Sequence, residues 1–230
     1  MGLVCRNITF KYPDSPGYVF QNLSLQIVNP GFNALFGPSG IGKTSLAKII
    51  IGDIRDFSGT VTTDGTNPVL YTYNLERLPG WSTVGKHIDK VTPAMRADLK
   101  KELIDIFGVR KCLDSRFSQL SLGQQNRINL IRYLVQDFKL LIMDESLANV
   151  DERTRETIIL KMKDIFPTAY FLYISHNVVE VSKFCKEIIV FRHSRKHPQT
   201  VTINGQDLVA ERQLQKSRLE LTMLEIMNAA

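Results

Sequence analysis

Apolar and polar positions follow two different rhythms along this 230-residue chain. Near the start, runs with a period of two and many β-branched or aromatic residues predict strands at 3–10 and 23–28. Later, short apolar runs alternate with helical patterns, which predicts a mostly parallel sheet with helices on both faces. Further strands are expected at 32–36, 60–63, 69–73, 140–143, 170–174, 188–191 and 200–203, with a turn at Asp64-Gly65 between two of them.

A stretch from about 85 to 135 interrupts this alternation and is predicted to be a helical subdomain. Thr92 and Pro93 are suited to the N-cap and first turn of a helix, and apolar residues recur at helical spacing up to Gly108. A second helix is expected from about Ser121 to Val135. Other helices are predicted at 43–51, 152–165, 177–184 and, as an amphipathic C-terminal helix, at about 207–227. The fold class is α/β, and residues 1–230 form one domain.

Composition narrows the range of functions. The net charge of +6 comes from scattered residues, and the densest basic run, 192–197, is expected to be a solvated hairpin loop, so nucleic acid is not an expected partner. The three separated cysteines fit a reducing, intracellular compartment. No apolar run approaches the ~18 residues of a membrane span. A role at a membrane therefore needs a partner, without direct insertion of this chain.

A phosphate-binding loop is the clearest chemical motif. It has the form Gly-x-x-x-x-Gly-Lys-Thr between a predicted strand and a predicted helix, which is the context this motif requires. Backbone N–H groups and the helix N-terminus attract an anion, the lysine reaches the β- and γ-phosphates, and the threonine hydroxyl suits Mg²⁺. The expected nucleotide contacts are Gly37, Pro38, Ser39, Gly40, Ile41, Gly42, Lys43 and Thr44, followed by Ser45.

An acidic pair ends the apolar run at 140–143. A carboxylate at the end of a buried strand is costly unless it meets a cation or a donor. Beside a phosphate loop, Asp144 is expected to hold Mg²⁺ through water, and Glu145 to act as general base toward the attacking water.

The segment Leu120-Ser121-Leu122-Gly123-Gln124 resembles the Leu-Ser-Gly-Gly-Gln signature of ABC-type ATPases, and the resemblance extends over about residues 3–205. It implies a P-loop NTPase core with an N-terminal antiparallel β subdomain and an inserted helical subdomain. It also implies that Ser121, Gly123 and Gln124 contact ATP bound by a second subunit. An ATP-dependent homodimer, or a pair with a related ATPase subunit, is then expected.

Other positions are similar to the family residue by residue. Tyr12 matches the aromatic residue that stacks on adenine, His176 matches the switch histidine at the γ-phosphate, and Asp151 matches the aspartate of the loop that crosses the dimer interface. Asn74 stands where the family has a glutamine that helps to position Mg²⁺ and water. Because asparagine is one methylene shorter, either direct metal contact or a bridging water is open here. Leu122, Ser146 and Ala148 are further departures from the family pattern.

The resemblance implies an ATP-hydrolysing subunit that powers solute transport, with import expected, through separate integral membrane permease subunits. Such a subunit is cytoplasmic and peripheral on the inner face of the cell membrane. Two segments look like the nitrate/sulfonate/taurine importer group: Leu78-Pro79-Gly80-Trp81-Ser82-Thr83-Val84 and Asp151-Glu152-Arg153-Thr154-Arg155. Two alternatives are a soluble ABC ATPase acting on nucleic acid or ribosomes, and a regulatory module that binds ATP without turnover.

Overall fold

The computed structural model describes residues 2–63, 68–78, 80–192, 196, 198–210 and 213–230. The predicted Asp64-Gly65 turn, Pro79 and most of the basic run at 192–197 lie outside the described residues. The strands are β1 (Leu3–Phe10), β2 (Phe20–Ile27), β3 (Gly31–Phe36), β4 (Ser58–Thr63), β5 (Val69–Tyr73), β6 (Leu140–Asp144), β7 (Tyr170–Ile174), β8 (Glu187–Phe191) and β9 (Thr200–Asn204).

These strands form two sheets. The larger has the order β5-β6-β7-β3-β8-β9 and is parallel except for the antiparallel pair β8 and β9. The smaller, β2-β1-β4, is antiparallel. Every residue of β6 and β7 is buried, which explains why both sequences are continuously apolar rather than alternating. The predicted α/β fold class with a mostly parallel sheet and an N-terminal antiparallel sheet is confirmed.

Helices cover the larger sheet. They are α1 (Lys43–Ile50), α2 (Val84–Val91), α3 (Ala97–Ile106), α4 (Leu122–Leu134), α5 (Glu152–Ile165), α6 (Val178–Phe184) and α7 (Lys216–Ala229). One apolar cluster packs α2 to α7 against one face, and a second packs α1 and the antiparallel sheet against the other. Successive residues of β6 belong to opposite clusters: Leu141 and Met143 face the first, and Leu140 and Ile142 face the second. None of the described helices has both the length and the apolarity of a bilayer span.

Two helix predictions differ from the structure. Thr92 does not begin a helix: it follows α2, which was not predicted, and its hydroxyl donates to the carbonyl of Ile88 in that helix. Pro93 then precedes a single 3₁₀ turn before α3. The C-terminal helix begins at Lys216 rather than near residue 207. Asp207 itself is not helical: it has a φ of +47° and accepts a hydrogen bond from Lys163 Nζ. Periodicity alone missed both contacts.

Candidate nucleotide-binding site

The phosphate loop connects β3 to α1, so its backbone lies at the carboxyl edge of the larger sheet. Gly40 has a φ of +80° and Gly42 a φ of +107°, a conformation that favours glycine. A Cβ at Gly42 would also lie 2.6 Å from Val19 Cγ1. Lys43 Nζ donates to the carbonyls of Gly37 (2.6 Å) and Pro38 (2.9 Å). The ammonium group is therefore held inside the curve of the loop.

Two opposing effects act on the pKa of Lys43. Burial lowers the pKa of the lysine, while the nearby carboxylates of Glu145 and Asp144 favour its charged form. The side chain is buried at the carboxyl edge of the sheet, where α1 begins. A buried cation at a helix N-terminus forms a site for an anion such as a phosphate group.

Asp144 ends β6 and connects two elements. Its Oδ2 accepts hydrogen bonds from Thr44 Oγ1 (2.7 Å) and from the hydroxyl of Tyr71 in β5 (3.0 Å). The two bonds bring the hydroxyl and carboxylate oxygens of Thr44 and Asp144 together beside a cavity of about 540 Å³. Oxygen donors of this kind fit Mg²⁺, with water or phosphate oxygens completing the shell. Among the described residues, no cluster of three or more His, Cys, Asp or Glu offers an alternative metal site.

Glu145 and His176 form a second pair at the same edge. His176 follows β7, and its Nδ1 lies 2.9 Å from Glu145 Oε1. Glu145 has a φ of +50°, which is uncommon for a residue with a side chain and is typical of functional sites. The pairing keeps the carboxylate at the rim of the 540 Å³ cavity rather than in the core.

Tyr12 lies close to the start of α1. Its hydroxyl is 2.9 Å from Ser45 Oγ, and its ring contacts Phe10 edge to face, with 43% of the residue exposed. A second cavity of about 480 Å³ adjoins the outer side of the loop, where Tyr18 also lies. Sequence reasoning missed Tyr18 because no motif marks it. The loop residues that line this cavity are Pro38, Ser39, Gly40 and Ile41.

The signature-like segment begins α4. Ser121 is the N-cap: its hydroxyl accepts from the Gln124 backbone N–H, and Gln124 Oε1 accepts from the Ser121 N–H. A Cβ at Gly123 would lie 2.4 Å from the carbonyl oxygen of Asn149. Leu122, at the other position where the signature has glycine, is 49% exposed, so a side chain fits there. No hydrogen bond among the described residues joins this segment to the phosphate loop.

Asp151 and Asn74 complete the predicted set. Asp151 is the N-cap of α5, and the hydrogen bond from the Thr154 backbone N–H lowers its pKa. Asn74 lines the 540 Å³ cavity, but its side-chain oxygen accepts hydrogen bonds from Asn126 and Asn149. The structure thus gathers Lys43, Thr44, Asp144, Glu145 and His176 at one edge, with Asn74 beside them.

Sequence comparison relates the chain to a known family. A model of the ABC transporter family matches residues 20–148, more than half of the chain. The chain belongs to the ABC transporter family. Its relatives include the taurine import ATP-binding protein TauB of Mesorhizobium japonicum, 27% identical over 82% of this chain and 79% of the relative. The molybdenum import ATP-binding protein ModC of Saccharophagus degradans is 27% identical over 81% of this chain, which spans only 56% of that relative.

Solved structures show the same fold. A bacterial Atm1-family ABC exporter with ATP bound superimposes with a TM-score of 0.78 at 20% identity, covering all of this chain and 42% of the exporter chain. An inward-facing ABC transporter gives a TM-score of 0.73 at 16% identity, covering 88% of this chain and 83% of the other. Identities this low carry the fold only. The P-loop NTPase fold expected from the sequence is confirmed.

Two further residues contact the elements that carry the site. Ser146, where the family usually has proline, is buried and donates its hydroxyl to the Thr72 carbonyl, so it fastens the segment after β6 to β5. Tyr71 was missed as a site residue. Its contact with Asp144 depends on the register between β5 and β6, in which Tyr73 is paired with Asp144. Nothing in the sequence identifies that register.

Proposed function

We propose that this chain binds Mg²⁺ and ATP and hydrolyses the ATP between two subunits, powering solute transport through separate membrane proteins. The observation that carries the proposal is the convergence of Lys43, Thr44, Asp144 and the Glu145–His176 pair at one edge of the sheet. These side chains supply a cation for phosphate, oxygen ligands for Mg²⁺ and a carboxylate positioned by a histidine. The names of the curated relatives, which are ATP-binding proteins, point the same way.

Each side chain has a defined task in this proposal. Lys43 exchanges its two carbonyl acceptors for phosphate oxygens when the nucleotide enters the loop. Thr44 and Asp144 would hold Mg²⁺, Asp144 through water, and the ion would supply positive charge to offset that of the β- and γ-phosphates. Glu145 accepts a proton from the attacking water, and His176 keeps its carboxylate oriented. Tyr12, near the start of α1, and Tyr18, which lines the second cavity, are aromatic residues available to stack on the base.

A second copy completes the site in this proposal. Ser121 and Gln124 cap the start of α4 and make their hydrogen bonds to each other. Within one chain, neither side chain bonds to the phosphate loop. A helix N-terminus is a binding place for an anion. Head-to-tail pairing brings the Ser121 segment of one chain to the γ-phosphate held by the other, with Asp151 at the interface. A homodimer or a pair with a related ATPase subunit meets this requirement.

The membrane partner is proposed to dock on the helical subdomain. A groove of about 360 Å³ lies beside α4 and is lined by Leu75, Arg77, Leu78, Phe117, Ser118, Leu122 and Gln125. Trp81, just before the helical subdomain, and Met95, within it, are 81% and 87% exposed. Such an apolar surface suits a helix end of a permease. Import, from the inner face of the membrane, is proposed from the relatives that bear import names.

The rate of ATP hydrolysis as a function of protein concentration tests the proposed enzyme. We expect the specific rate to rise with concentration, because each site needs a second copy. Glu145→Gln should abolish turnover, keep ATP binding and trap an associated pair, since glutamine retains the oxygen that meets His176. Glu152→Gln, an exposed carboxylate in the first turn of α5, is the matched control and should leave the rate unchanged. A wild type as inactive as Glu145→Gln would refute the ATPase.

Recruitment to membranes tests the transport role separately. The wild-type chain should sediment with membranes prepared from its own cells and stay with them in physiological salt. Trp81→Asp should release it, because a carboxylate cannot enter an apolar contact without a large desolvation cost. Val28→Asp is the control: Val28 is an exposed apolar residue (44%, against 81% for Trp81) that follows β2 of the antiparallel sheet, and this variant should not release the chain. Equal release of both variants, or no sedimentation of the wild type, would contradict docking through the helical subdomain.

A further inference from the structure

Three asparagines meet beside the proposed nucleotide site. Asn74 Oδ1 accepts hydrogen bonds from Asn126 Nδ2 (3.0 Å) in α4 and from Asn149 Nδ2 (2.8 Å) in the segment before α5. The Asn74 backbone N–H donates to the carbonyl of Asp144 (2.9 Å) at the end of β6. Asn126 is buried. The side chain of Asn74 thus joins α4 to the loop preceding Asp151, and its backbone N–H joins both to the strand that carries Asp144.

The hydrogen-bonding capacity of Asn74 decides between two roles. An amide oxygen has two lone pairs, and both are used by the two asparagine donors. Ligation of Mg²⁺ through this oxygen would break at least one of these bonds and leave the buried Asn126 amide without its acceptor, which is costly. A glutamine would carry the oxygen roughly 1.5 Å farther from the backbone. The asparagine keeps it at the junction of the three segments.

We propose that Asn74 is a positioning residue that couples α4 to the loop at 146–150, and that it does not ligate Mg²⁺ in this chain. Thr44, and Asp144 through water, are then the residues that would hold the ion. The proposal rests on the function proposed above, because it concerns the two segments that meet the second copy.

The segment around Asn74 is fixed to α4 by several contacts. Leu75 has a φ of +63°, which costs energy unless surrounding contacts maintain it. Those contacts come from one face of α4: Asn129 Nδ2 donates to the Glu76 carbonyl (2.7 Å) and the Tyr133 hydroxyl to Glu76 Oε1 (2.8 Å). Arg132 also pairs with Glu76 in a half-buried bridge. Hydrogen bonds and an ion pair therefore fasten residues 74–76 to α4 as one unit.

This unit connects two surfaces. At one end Leu75 and Leu122 line the groove proposed for the membrane partner. At the other end the oxygen of Asn74 holds Asn149, whose own carbonyl packs against Gly123. Displacement of α4 by an occupant of the groove is therefore passed directly to the loop that faces the second copy. The connection uses the side-chain oxygen of Asn74, whereas the backbone N–H of the same residue donates to the carbonyl of Asp144.

Two measurements in a Glu145→Gln parent separate the roles. Mn²⁺, used in place of Mg²⁺, is titrated against the ATP-loaded protein by electron paramagnetic resonance. ATP-dependent association is measured by analytical ultracentrifugation. The variants are Asn74→Ala and Asn149→Ala, singly and combined, with Thr44→Ala as the loss-of-ligand reference. The control is Asn204→Ala, an exposed asparagine at the end of β9.

We expect Asn74→Ala to keep its Mn²⁺ affinity within about twofold, while Thr44→Ala loses about tenfold or more. Both asparagine variants should weaken association about tenfold, and the double variant no further, because the two residues share one bond. A loss of Mn²⁺ affinity in Asn74→Ala comparable to that in Thr44→Ala would overturn the proposal, as would additive or absent effects on association. If the parent itself fails to associate with ATP, the proposed two-subunit function fails, while the Mn²⁺ titration still decides whether Asn74 is a ligand. Asn149→Ala removes a donor at an exposed position and keeps the test available should Asn74→Ala fail to fold.

Discussion

Gly123→Ala perturbs the contact between α4 and the loop at 146–150 in a way that the structure quantifies. The added Cβ would lie 2.4 Å from the carbonyl oxygen of Asn149, whereas ordinary contacts begin at 3.4 Å. Helix or loop must therefore shift by roughly 1 Å, and overpacking of this kind costs about 1–3 kcal/mol. The higher helix propensity of alanine returns at most about 1 kcal/mol. We expect a net loss of about 1–2 kcal/mol in the free energy of unfolding.

Gly85→Ala is a closely matched control for this experiment. Gly85 holds the same second position in α2 that Gly123 holds in α4, so the change in helix propensity is comparable. Its Cβ would lie 3.2 Å from the Leu113 carbonyl, a tight contact that needs only a few tenths of an ångström. Gly85→Ala should change the unfolding free energy by less than about 1 kcal/mol.

Equilibrium urea denaturation without nucleotide, followed by circular dichroism, gives both values. The reasoning is wrong if Gly123→Ala is as stable as Gly85→Ala, because the loop must then yield at no cost. In that case the close approach of Gly123 to Asn149 is no constraint on this segment. If Gly123→Ala is destabilised as expected, its ATP-dependent association should weaken as well, since Asn149 is displaced from its place beside Asn74.

Three further predictions concern single side chains. Ser146→Ala should lower the unfolding free energy by about 1 kcal/mol in urea, because the buried Thr72 carbonyl loses its hydroxyl donor. Lys43→Met should abolish ATP binding measured by calorimetry. Burial lowers the pKa of Lys43, so the unfolded chain keeps this proton to higher pH than the folded chain does. The free energy of unfolding of the wild type, relative to that of Lys43→Met, should therefore rise as the pH increases toward 10.5. A difference that falls over this range would contradict the prediction. All three free cysteines are buried, and burial raises the pKa of Cys5 to about 12, so Ellman's reagent at pH 8 should label none in the folded protein and three in denaturant.

Much of the candidate site was predictable because its parts are local. A glycine-rich turn between a strand and a helix specifies backbone geometry, and Lys43 and Thr44 follow at fixed positions within one helical turn. Asp144 and Glu145 were predictable because a buried apolar strand that ends in two acids needs a cation or donors there. The capping box of Ser121 and Gln124 is likewise written within four residues.

Contacts between distant segments were not predictable in this way. The tyrosine at 71 reaches Asp144 only because β5 pairs with β6 in one register, and the three asparagines meet only when α4, β5 and the loop after β6 are packed together. The helix α2 and the late start of α7 depended on similar contacts. These contacts join residues up to 75 positions apart along the chain. A sequence pattern with a period of two or 3.6 residues describes only near neighbours and cannot predict them.

The sequence by itself determined the chemistry: which residues can hold phosphate, a divalent cation and an attacking water, and in which kind of fold. Tertiary structure decided how those groups are connected, because a hydrogen bond requires two atoms to be in place, and packing alone sets where distant atoms lie. Asn74 illustrates the difference. From the residue type alone, Asn74 could contact the metal directly or through water. The two amide donors beside its oxygen instead favour a role in linking α4 to the loop at 146–150.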